Sequence, residues 1–79
     1  MDNLQKLKTA FSESFGIENS SVSDTLIYQG IKEWDSISHM ILISNLEDAF
    51  NISIDTDDVI DMSSFSKSKE ILTKHGVQF

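Results

Sequence analysis

Cysteine and proline are both absent from this chain, and glycine occurs only three times, at Gly16, Gly30 and Gly76. Without cysteine there is no disulfide framework and no thiolate metal site, so any thiol chemistry has to come from a bound group. Without proline, and with the glycines scattered, no linker marks a second domain or a repeat. No apolar run is long enough to span a bilayer, and the opening Met1-Asp2-Asn3-Leu4-Gln5-Lys6-Leu7 lacks the basic start and apolar stretch of a secretory signal. Positive charge is scarce as well: six lysines stand against thirteen acidic residues, for a formal net charge of −7. That balance repels nucleic acid and anionic membranes and suits basic protein partners, although acidity also aids solubility. The expectation is a cytoplasmic, monomeric protein in which residues 1–79 form a single domain around one modest core.

What is present is mostly helical periodicity. Leu4, Leu7, Phe11 and Phe15 recur at helical spacing after a cap at Asp2 or Asn3, and Gly16 is a natural stop. From Ile17 to Asp35 the periodicity is lost, and Val22, Leu26, Ile27, Ile31 and Trp34 read as anchors of a long loop pinned to the core. A second helix begins at Ser36, carries Leu42, Ile43, Leu46 and Phe50 on one face, and ends at Asn51. Ile52 and Ile54 then lead to a brief third helix capped by the acidic Asp55 to Asp58 stretch, with Val59, Ile60 and Met62 as its apolar residues. Ser63 or Ser64 caps a last helix bearing Phe65, Ile71 and Leu72; Ser68 and Lys69 thin its apolar face, so it is expected to be the loosest element before Gly76 ends it. The fold class is all-α, a small four-helix bundle with a long first loop and a short third helix.

The stretch Glu33-Trp34-Asp35-Ser36-Ile37-Ser38-His39 places a serine hydroxyl at the mouth of the second helix. Unpaired amides and the positive end of the helix dipole would favour a phosphate ester there, so Ser36 reads as an attachment point. At a hundred degrees per residue, Ile37, Ile41, Ser44 and Asp48 fall opposite the inward face, leaving two isoleucines for a partner to cover. Other chemistry is less well supported. Ser36 and His39 share a helix face, yet no Gly-x-Ser-x-Gly turn surrounds the serine, so catalysis is not expected. His39 reads as a partly solvated residue and His75 as a favourable cation near a helix end, too far apart for a metal motif. Asp55, Asp57, Asp58 and Asp61 lack the alternating ligands, turn glycine and distal glutamate of a calcium loop, so no metal site is expected.

Gly30-Ile31-Lys32-Glu33-Trp34-Asp35-Ser36, then Leu46-Glu47-Asp48-Ala49-Phe50, then Ile54 and the acidic run Asp55 to Asp61, follow the order of the acyl carrier protein family, and the register match extends from Leu26 to Leu72. The chain resembles that family, with Asp35-Ser36-Ile37 in place of its Asp-Ser-Leu motif. The resemblance implies the carrier bundle and implies that Ser36 receives 4′-phosphopantetheine from coenzyme A through a separate phosphopantetheinyl transferase, which Asp35 helps to dock. It implies no catalytic residue in the chain: acyl or aminoacyl groups would ride as thioesters and be presented to loading and transfer enzymes with basic docking surfaces. Ile37, Met40, Ile41, Glu47 and Asp48 would form the partner face. Ile41 stands where fatty-acid carriers typically have glutamate, and the Trp-Asp-Ser version resembles stand-alone carriers of specialised biosynthetic pathways. Trp34 itself is expected to pack the loop against the second helix with its indole N–H near water. An acyl pocket would be lined by Leu42, Leu46, Phe50, Ile54 and Met62. The alternative from another class is an unmodified interaction module that keeps the carrier fold.

Overall fold

Local capping chemistry sets the ends of the helices in the computed structural model, which describes residues 2–79. The Asp2 carboxylate accepts the Gln5 amide at 2.8 Å and starts α1 (Asn3–Phe15), and Gly16 stops it in the left-handed conformation at φ 67°. Helix α2 (Ser36–Phe50) ends in the same way, with Asn51 at φ 55°. Then come α3 (Thr56–Asp61) and α4 (Phe65–Lys74), whose first turn is capped by Ser64, its hydroxyl accepting the Lys67 amide at 2.9 Å. The expected all-α bundle, with its long first loop and short third helix, is what the chain forms.

The 17–35 loop is held by backbone pairing as well as by side chains. After a short 3₁₀ turn at Asn19–Ser21, the Tyr28 N–H donates to Ser63 O at 2.8 Å and the Phe65 N–H to Leu26 O at 2.9 Å, a single antiparallel bridge between the loop and the start of α4. In extended backbone, alternate side chains face opposite ways. Leu26 is therefore buried and Tyr28 packs inward, while Ile27 between them is 52 % exposed and is not the core anchor expected of it. The chain then turns tightly at Gly30, where a Cβ would stand 2.6 Å from Ile27 Cγ1 and 3.0 Å from Ile27 O.

The core gathers Leu7, Phe11 and Phe15 from α1, Leu42, Ile43 and Leu46 from α2, and Phe65, Ile71 and Leu72 from α4 around the buried Trp34. Not every apolar residue of these helical patterns is inside. Leu4, the second residue of α1, is exposed, and Ile60 is 77 % exposed because the six-residue α3 can turn only one narrow face inward. Phe50, at the last residue of α2, is half-buried beneath Lys6 Nζ and the Phe79 ring. Ser68 does not interrupt the apolar face of α4: it is fully buried and returns its hydroxyl to Phe65 O.

Helices α3 and α4 are joined by a buried carboxylate. Asp58 accepts from Lys74 Nζ at 2.7 Å and lies 3.3 Å from His75 Nε2. Asp55 holds the cap position of α3 but makes no capping bond, because its carboxylate lies with Asp58 and His75. These three bring one ligand-type atom each within 4.8 Å of one another, a grouping that sequence spacing did not reveal. The Lys74 ammonium already supplies its positive charge. That ammonium holds the Asp58 carboxyl below the usual carboxylate range, and Asp58 in turn raises the Lys74 pKa. A depressed carboxyl stabilises the fold above its unfolded pKa and loses that effect as pH falls through the folded value; a raised lysine stabilises below its unfolded pKa and loses the effect as pH rises through the folded one. The pair therefore contributes between the acid and alkaline extremes. In thermal melts across pH, the Tm gap between parent and Asp58→Asn should be widest near neutrality and close below about pH 3.9 and above about pH 10.4. A constant gap would assign the loss to packing alone.

Candidate functional site

The site begins with Trp34, whose indole has no solvent exposure. Phe15 stacks on it at 5.0 Å between centroids, and Phe11 and Tyr28 meet it edge-on at 5.4 and 6.1 Å. Its main packing is thus against α1, and its N–H is not left near water: it donates to His39 Nδ1 at 2.9 Å. Loop and helix start are locked together one residue before the cap of α2.

At that cap the Asp35 Oδ1 accepts the Ser38 amide at 2.9 Å, while Ser38 Oγ accepts the Asp35 amide at 3.0 Å. This is a capping box with serine at its third position in place of glutamate or glutamine. The single proton of the Ser38 hydroxyl can serve either Glu33 O or Asp35 Oδ1, both within reach. Hydrogen bonds from the Ser38 amide and then its hydroxyl hold the Asp35 carboxyl below its ordinary pKa. Asp35 is therefore a fixed anion beside Ser36, and Ser38 is buried. Sequence reasoning passed over Ser38; the spacing Asp-x-x-Ser was the available signal.

Ser36 is exposed at the first residue of α2 and lies on the rim of a mostly apolar groove of about 370 Å³. Tyr28 supplies the loop side of that groove; Ser36, His39 and Met40 supply the α2 side; Val59, Ile60, Met62 and Ser63 supply the α3 side. Of the residues expected to line an acyl pocket, only Met62 is here. Leu42, Leu46 and Ile54 are closed into the core, and Phe50 packs at the far end of α2. Neither histidine nitrogen is free to activate the serine, since Nδ1 accepts from Trp34 and Nε2 bonds Val59 O at 2.8 Å.

Ile37 and Ile41 point outward from α2 as expected, 74 and 48 % exposed, and Met40, 58 % exposed, lies with them. Ile60 of α3 extends this strip. The acids are divided. Asp48 is exposed beside a separate groove between α1 and α2, whereas Glu47 is half-buried and accepts the Ile54 amide at 2.8 Å, which fixes the connection to α3.

The chain is 29% identical over 70 residues to a protein named acyl carrier protein from Lactobacillus johnsonii, an alignment covering 89% of this chain and 88% of the relative. No family model matches the chain. The likeness to acyl carrier proteins read from the motif order therefore has support in a curated relative over most of the chain, and the four-helix fold agrees with it.

Replacing Ser38 by alanine removes half of the capping box while leaving the amide bond to Asp35. We expect a loss of about 0.5–1.5 kcal/mol in stability, and a partial rise of the Asp35 pKa toward its ordinary value, followed by carboxyl NMR titration. An unchanged Asp35 titration would show that the hydroxyl does not tune the anion.

Proposed function

We propose that this protein is a discrete acyl carrier in which Ser36 bears a 4′-phosphopantetheine arm. The observation that carries the reading is the placement of Ser36: an exposed hydroxyl at the positive end of α2, next to the box-fixed Asp35 and on the rim of an apolar groove. The residues fit the group. A phosphodiester on Ser36 would sit at the helix start, with the Asp35 carboxylate held aside by Ser38 and left on the surface for a transferase to engage. When bound, the arm supplies the thiol that the chain lacks and holds acyl or aminoacyl groups as thioesters.

The chain's own residues then act as an address. Ile37, Met40 and Ile41 present apolar surface next to the attachment point, and a net charge of −7 draws basic enzymes toward it. Asp48 and the exposed part of Glu47 contribute to that charge, which orients docking more than it tightens it. Bond making and breaking belong to the partner enzymes; the protein raises the cargo's effective concentration at their sites. The apolar Ile41 and the Trp-Asp-Ser sequence suit a carrier in a specialised biosynthetic pathway in the cytoplasm. No helix among the described residues is long and apolar enough to cross a membrane.

Incubation with coenzyme A, magnesium and a broad-specificity phosphopantetheinyl transferase tests the reading by intact mass. The parent should gain one phosphopantetheine increment and Ser36→Ala none. No increment on the parent, with the transferase active on another carrier, would favour the unmodified interaction module.

A further inference from the structure

We propose that His39 is a positioning residue: its neutral imidazole is a two-sided tether that holds α3 against the arm-bearing end of α2, with Trp34 on one side and Val59 on the other. An indole N–H can only donate and a carbonyl oxygen can only accept. The Trp34 Nε1–H to His39 Nδ1 bond of 2.9 Å therefore leaves Nδ1 unprotonated, and the 2.8 Å contact of Nε2 with Val59 O places the single ring proton on Nε2. The imidazole also stacks on the Trp34 ring at 6.0 Å, 20° from parallel, and meets Tyr28 edge-on at 5.4 Å. Position and tautomer are thus fixed together.

The consequence falls on α3. This helix has six residues and fewer anchors than its neighbours, with Asp58 alone buried within it and Val59 half-buried. The Asp58–Lys74 bond ties it to α4. His39 is what ties it to α2, through the carbonyl of Val59, which lines the groove with Ile60. The α3 wall of the groove beside Ser36 is therefore held against α2 by the neutral ring. In the carrier reading, this tunes access for whatever hangs from the arm, and to that extent it rests on that reading.

The test uses the unmodified full chain, so its result is independent of whether Ser36 accepts the arm. Hydrogen-exchange protection, normalised for intrinsic rates, is followed at the Val59 and Met62 amides, which bond Asp55 O and Asp58 O at 3.0 Å, with Leu46 of α2 as reference. His39→Leu should lower protection at Val59 and Met62 by about two- to tenfold, the worth of one hydrogen bond, with Leu46 unchanged. His39→Gln, which keeps an acceptor and a donor on one planar group, should restore protection. Equal protection in His39→Leu and parent would overturn the tether, as would a loss spread equally to Leu46. Protection in His39→Gln as low as in His39→Leu would overturn it too.

Discussion

Burial of the Trp34 indole is the constraint on which the rest of the structure depends. Its ring lies at the junction of α1, the long loop and the start of α2, stacked on Phe15 and His39 and bracketed by Phe11 and Tyr28. Truncating a buried aromatic of this size commonly costs about 3–5 kcal/mol, comparable to much of the stability of a small domain, about 5–15 kcal/mol. Burying the indole also obliges its N–H to find an acceptor inside the protein. His39 Nδ1 is that acceptor, and the need to satisfy one donor thereby sets the tautomer of a second residue and the position of a third helix.

Ser36, the proposed attachment point, inherits its position from this arrangement. Trp34 fixes the loop immediately before Asp35, and the reciprocal Asp35–Ser38 bonds fix the first turn of α2. Ser36 lies inside that box and contributes nothing to it, which leaves it free to be exposed. A carrier needs that separation: the group to be modified must not hold the fold together, or modification would unfold it. The apolar strip of Ile37, Met40, Ile41 and Ile60 lies next to the same point, so the proposed arm and the proposed recognition surface share one end of the molecule.

Much of this was legible in the sequence because the relevant interactions are local. Helix ends follow from Asp2, Gly16, Asp35, Asn51 and Ser64, each acting within a few residues, and the motif around Ser36 carried the family resemblance. What was not legible depends on partners distant in the chain. His39 finds Val59 twenty residues away, and no spacing rule connects them. Ile27 faces out because a backbone bridge to Ser64 sets the alternation of side chains, a pairing invisible to a periodicity count. Ile60 reads as one of the apolar residues of α3, yet six residues offer too narrow a face to bury it, and the buried position goes to the charged Asp58 because Lys74 lies across from it. The acyl pocket was assigned to core residues on the same inward-face logic, whereas the groove beside Ser36 is built from the edges of three segments.

The central claim is that Ser36 receives its arm on a preformed platform that does not rearrange. Amide spectra of the protein before and after phosphopantetheinylation test it most directly. The account requires the changes to be centred on Ser36 to Met40 and on the groove residues Tyr28, Val59 and Ile60, with Phe11, Phe15 and Leu46 unmoved. Changes spread through that core, or none near Ser36, would contradict it.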